Sequence, residues 1–102
     1  MVNEAVFVER ACRLLALEAD RRAHIAHREP GPEADPDCVV MLLARIISLS
    51  VAQQHQFLEC LIVERLPFPS EPTFDENDLL AVGELVDRLE EAGDRERPAA
   101  LT

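Results

Sequence analysis

Asp20, His24 and His27 are spaced by four and three residues, so a helix through them would carry all three on one face. Two neutral imidazoles and a carboxylate so placed can share a metal ion. Arg21, Arg22 and Arg28 occupy the same stretch and would repel that ion, so the cluster reads as a solvated helix end and no metal is expected. Cys12, Cys38 and Cys60, with His55, make the other candidate ligand set. None has CxxC spacing, and each sits among apolar residues, where a free thiol packs as a small hydrophobe. Cys38 falls in the first turn of an expected helix, which favours a thiolate, but Asp35 and Asp37 oppose it and no base accompanies it.

Carboxylates are plentiful, yet acid–base chemistry needs a cleft that shifts their pKa values. A small aliphatic bundle offers few such clefts. The chain has no GxGxxG, phosphate loop, GxSxG or HExxH motif, so no catalytic residue, no cofactor and no enzymatic activity are expected. Two polar features point to binding instead. Gln53, Gln54, His55 and Gln56 form an uncharged run, read either as an adaptable hydrogen-bonding patch or as an ordinary exposed helix start. Glu84, Asp87, Glu90 and Glu91 form an acidic face, read either as a mimic of nucleic-acid phosphates or as a solvated outer surface.

Charge narrows the partner further. The 102 residues carry 20 acids against 10 bases, a net charge of −10, and every base is Arg. The absence of Lys points to a GC-rich bacterial or phage coding sequence. Duplex binding needs cationic surface to release counterions, so direct nucleic-acid contact is not expected, and neither is attachment to anionic lipid. The start of the chain lacks a basic signal-peptide region, and the apolar stretch Cys38–Leu49 is interrupted by Arg45 and too short to span a bilayer. A cytoplasmic location is the expectation. The acids are concentrated late: residues 71–94 hold nine against Arg88 alone.

The elements that must position these groups are helical. Aromatics make up 4% of the chain, with no Trp or Tyr, so the core must be aliphatic and suits helix-on-helix packing. A first helix is expected from Asn3 to Arg28, with Asn3 as cap, burying Phe7, Leu14, Leu17 and Ile25 beside Val8, Cys12, Leu15, Ala19, Ala23 and Ala26. Pro30-Gly31-Pro32 ends it, and Asp35-Pro36-Asp37 starts the next. Between 36 and 66 one long helix or two are possible; Ser50 with Gln53 forms a capping box that favours a break. The segment 66–72 holds three prolines and is expected to run extended, pinned by Phe68 and Phe74. Thr73 with Glu76 should cap the last helix, and Gly93 should end it.

The resulting expectation is a single all-α domain over 1–93, a bundle of three to four helices with a Pro-rich extended connection before the last, and a disordered tail at 94–102. From Cys38 to Leu49, ten of twelve residues are apolar. A helix apolar on all sides must be surrounded, which favours a homodimer or another protein partner. The partner-binding residues expected on this basis are Val39, Leu43, Ile46, Gln53, Gln54, Phe57, Leu58, Leu61 and Ile62. The function expected is that of a small acidic bacterial or phage regulatory protein, an inhibitor or anti-activator acting by protein–protein binding. The alternatives are an acidic nucleic-acid mimic of the anti-CRISPR or anti-restriction type, and a chaperone-like or structural helical dimer.

Overall fold

The computed structural model describes residues 4–29 and 31–96, and the chain is helical with no named strand among them. Five helices follow in order: α1 (Glu4–Ala16), α2 (Ala19–His27), α3 (Pro36–Ile47), α4 (Val51–Glu64) and α5 (Glu76–Glu96). Helix α5 is the spine, with α3 and α4 packed against it and α1 against α4. No helix among the described residues is long and apolar enough to cross a membrane.

The local signals at the centre of the chain behave as their chemistry requires. The Asp35 carboxylate accepts from the N–H of Asp37, and Pro36 occupies the first helical position, where a missing N–H leaves nothing unsatisfied. Helix α3 stops at Ser48, whose hydroxyl donates to the Ala44 carbonyl at 2.9 Å. Ser50 then caps α4 through a complete capping box. Its hydroxyl accepts from the Gln53 N–H at 3.2 Å, while the Gln53 side-chain oxygen accepts from the Ser50 N–H at 3.1 Å. The region is thus two helices. Helix α4 ends with Arg65 in the left-handed conformation, φ 56°, where the Leu66 N–H reaches back to the Leu61 carbonyl.

The N-terminal helix differs from expectation, because it breaks at Leu17–Glu18 into α1 and α2. The N–H groups of Leu17 and Glu18 bond three residues back rather than four, at 3.2 Å each. The break turns Arg21 inward until it is 2% exposed. Its guanidinium donates to the carbonyls of Leu66 (2.8 Å) and Leu15 (3.3 Å) and to the Glu71 carboxylate (2.5 Å). A straight helix would have buried the alanine row. Instead Ala19, Ala23 and Ala26 are exposed, as are Leu14 and Leu17, while Phe7, Ala11, Leu15 and Ile25 are buried.

Three further corrections concern α5 and the segment that leads into it. The cap is Asp75 rather than Thr73: the Asp75 carboxylate accepts from the Asp78 N–H at 2.9 Å, and the Asp78 carboxylate accepts from the Asp75 N–H at 3.0 Å. The connection before it is folded rather than extended. Glu71 N–H bonds the Phe68 carbonyl and Phe74 N–H bonds the Glu71 carbonyl, making two successive turns. Pro67 and Phe68 are fully buried, with the Phe68 ring 6.1 Å from Phe7 and 6.2 Å from Phe57. Helix α5 also runs through Gly93 to Glu96. The Asn3 cap and the rest of the expected tail, 97–102, lie outside the described residues.

Gly93 has another role. A Cβ there would overlap the side-chain amide of Gln53, which donates to the Leu89 carbonyl at 2.8 Å and so ties α4 to α5. Gly83 has open space around it within the same helix. Replacing Gly by Ala in a helix interior gains about 1 kcal/mol when nothing clashes. Gly83→Ala is therefore expected to stabilise the protein by ~0.5–1 kcal/mol in denaturant titration, while Gly93→Ala gains nothing or destabilises. Equal gains from both would show that the Gln53 contact carries no weight.

Candidate functional site

Helix α3 resolves the question of its own apolar surface in an unexpected way. Leu42 and Ile46 enter the core, as does Leu49 just beyond the helix, and Val39, Leu43 and Ile47 are partly buried, but Val40 and Met41 remain 65% and 67% exposed. Helix α4 supplies the centre of the core. Of the residues expected to bind a partner, Ile46, Gln54, Phe57, Leu58 and Leu61 are buried, and Val39, Leu43, Gln53 and Ile62 are half-buried. Gln54 is 3% exposed because its amide donates to the carbonyls of Ile47 (3.1 Å) and Leu49 (3.3 Å), which the end of α3 leaves unpaired. Gln53 serves the cap and the α5 contact, so only His55 and Gln56 of the polar run stay exposed.

The open apolar surface lies elsewhere. Among the described residues eight large hydrophobic side chains are exposed, and four of them, Val6, Leu14, Leu17 and Val51, line one groove of about 590 Å³. Its α1 side is Val6, Phe7, Arg10 and Leu14, continued by Leu17 and Glu18. Its α4 side is Val51, Gln54, His55, Leu58, Glu59 and Ile62. Three of the expected partner residues, Gln54, Leu58 and Ile62, thus reappear on the groove's α4 wall. The α1 wall was missed because Leu14 and Leu17 fit a continuous first helix. The available signal was that α1 carries apolar residues around more of its circumference than one core face can bury.

The acidic face is partly neutralised. Arg45 of α3 reaches across to pair with both Asp87 and Glu90, and these hydrogen bonds, Glu90 foremost, raise its pKa further above the ordinary value. Glu84 and Glu91 point outward, with Leu80, 64% exposed, on the same helical row. Arg88 lies 3.6 Å from Glu64. At the N-terminal end of α5, Arg28 pairs with Asp78 and approaches Asp75 at 3.9 Å.

The groups that resembled metal ligands are dispersed or already paired. The Asp20 carboxylate accepts from the Arg65 guanidinium at 3.1 Å, and His24 and His27 share a shallow depression with Arg28 and Arg65. No cluster of three His, Cys, Asp or Glu suited to a metal occurs among the described residues. The three cysteines are free thiols. Cys38 is exposed and Cys12 lies 3.4 Å from the Ser70 hydroxyl. Burial, with Glu64 adding to it, pushes the Cys60 thiol up, away from the reactive thiolate. Compared with known proteins, the chain matches no family model, no curated protein and no solved structure.

Proposed function

We propose that this chain is a small acidic regulatory protein that acts by binding another protein, and that the groove between α1 and α4 is its docking site. One observation carries the reading: of the eight large apolar side chains exposed among the described residues, four converge on that groove. Scattered surface hydrophobes are ordinary, whereas a contiguous concave set is the usual mark of a binding surface. Inhibition or anti-activation of a partner protein is the role that fits a small acidic bacterial or phage chain with such a groove.

A second reading has its own support. The charge of −8 over residues 71–94 and the outward Glu84 and Glu91 suit an acidic mimic of nucleic acid. Arg45 weighs against it by occupying Asp87 and Glu90. A homodimer would form through the exposed Val40 and Met41, opposed by the net charge of −10.

These readings separate in one set of variants, with capture from bacterial lysate and sedimentation as readouts. Docking in the groove predicts that Leu17→Asp lowers capture of the specific partner at least about tenfold, as for a buried interface anchor, and that capture survives high salt. Mimicry predicts instead that Glu84→Arg with Glu91→Arg abolishes capture and that salt disperses it. A dimer at micromolar concentration that Met41→Asp splits supports self-association; a monomer removes it. If Leu17→Asp leaves capture unchanged, the groove is not the docking site.

A further inference from the structure

Helix α2 is held to the rest of the fold by different means from its neighbours. Each of the other four helices places at least two side chains in the core cluster, and α2 places none. Of its nine residues only Arg21 and Ile25 are buried, and Ile25 lies apart from that cluster. No side chain caps its N-terminus, and a helix this short does not persist on its own backbone hydrogen bonds. What holds it is charge. Arg21 donates to the Leu66 carbonyl and the Glu71 carboxylate, Arg28 pairs with Asp78 and donates to the Thr73 carbonyl, and Asp20 accepts from Arg65. Apart from the Leu15 carbonyl, which also accepts from Arg21, all these partners lie between residues 65 and 78.

The chain is fixed on both sides of this helix. Leu15 sits in the core before it. After it, the Gly31 N–H bonds the Asp75 carboxylate at 3.0 Å and the Glu76 N–H bonds the Pro32 carbonyl at 2.9 Å. The α1–α2 break at Leu17 and Glu18, where the N–H groups bond three residues back, supplies a hinge. A segment with anchored ends and little apolar burial opens locally, at a lower cost than unfolding the whole. We infer that residues 17–29 form a strap across the 65–78 connection, which opens as a unit while α1, α3, α4 and α5 stay folded, and which the arginine–carboxylate contacts hold shut. Opening parts Arg21 and Arg28 from Glu71 and Asp78, at the head of a segment, 71–94, that carries nine acids against one base. Ionic strength therefore acts on the strap and on the whole fold in opposite senses. Salt weakens the attractions that close the strap, whereas it eases the self-repulsion of a chain with net charge −10. The strap goes beyond the docking reading and does not depend on it.

Hydrogen exchange of the whole protein, followed residue by residue by NMR at pH 7, tests the strap. The amides of residues 22–27 are expected to be at least about tenfold less protected than those of 57–61 and 82–89. Up to about 2 M urea should leave the strap amides nearly unchanged while core protection falls steeply, because the strap exposes little surface on opening. Raising salt from about 0.01 M to about 1 M, which shortens the screening length from ~30 Å to ~3 Å, should lower strap protection about threefold while core protection holds or grows. Arg65→Gln, at an exposed position, should lower strap protection by ~2–5-fold, as for loss of an exposed ion pair. Arg22→Gln, exposed on the same helix, is the control and should leave strap protection unchanged. If residues 22–27 share the protection and urea dependence of the core, α2 opens only with the whole protein and the strap is overturned. If they exchange faster but respond to neither salt nor Arg65→Gln, charge does not close the strap and the inference is equally overturned.

Discussion

Arg21→Ala is expected to destabilise the fold by about 3 kcal/mol. Arg21 lies almost wholly out of solvent, and its guanidinium donates to the Leu66 and Leu15 carbonyls and to the Glu71 carboxylate. The Leu15 carbonyl at the α1–α2 break also accepts from the Glu18 N–H, whereas the Leu66 carbonyl lies just past the end of α4. Removing the guanidinium strands the Leu66 carbonyl, leaves Glu71 without its partner and opens a cavity where the side chain lay. The Glu71 side chain is 26% exposed, so water recovers part of that loss, which places the effect at the lower end of the range for a broken buried ion pair. At ~4–8 °C per kcal/mol for a domain near this size, the melting temperature followed by circular dichroism should fall by more than about 12 °C. Arg22→Ala, one residue along and exposed, should change it by less than about 0.5 kcal/mol. Equal small effects would mean that α2 is not held by this contact.

Asp78→Ala is the second substitution with a large expected effect, again about 3 kcal/mol. Asp78 is 2% exposed, accepts from the Asp75 N–H at 3.0 Å and pairs with Arg28. Its loss removes half of the α5 capping box and leaves Arg28 with Asp75, 3.9 Å away, and the Thr73 carbonyl. The same knot gives the fold an acid dependence. Burial acts to raise the Asp75 carboxyl, but the N–H groups of Asp78 and Gly31 and the charge of Arg28 outweigh it and hold the carboxyl below its ordinary value. A carboxyl depressed in the folded state contributes stability that is complete above the unfolded pKa, about 3.9, and disappears as pH falls through the lower folded value. Denaturant midpoints should therefore fall as pH drops below about 4, and the fall should be shallower in Asp75→Asn. An identical acid profile in that variant would remove Asp75 from the account.

Where a sequence signal was local and had one physical meaning, it was realised. Asp35-Pro36 and Ser50 with Gln53 act within a few residues, through a fixed φ and a reciprocal hydrogen bond, and both helix starts form as expected. The misplaced features are those in which two local solutions compete and a distant residue decides. Thr73 with Glu76 and Asp75 with Asp78 are both capping pairs, and Asp75 prevails where its carboxylate also accepts from the Gly31 N–H. Arg21 looked like a solvated residue of a helix end, since nothing in its surroundings in the sequence announces Leu66 or Glu71 as partners. Gly93 carries the composition of a helix stop, but here it serves the approach of Gln53.

The candidate site was legible in half. Apolar residues beyond the needs of the core were apparent in the sequence, and the structure leaves such surface open. Its location was not apparent, because the apolar row of α4 fills the core itself and the surplus moves to the α1 side once the first helix breaks. Leu14 and Leu17 are the residues that change sides.

The central claim, that the groove between α1 and α4 is the docking site, is tested most directly by methyl NMR of the protein titrated with a leucine-rich amphipathic helical peptide. The account predicts shifts confined to Val6, Leu14, Leu17, Val51 and Ile62, with Val40, Val63 and Leu80 unmoved as exposed controls on other faces. Shifts centred on Val40 or Leu80, with the groove methyls silent, would contradict it.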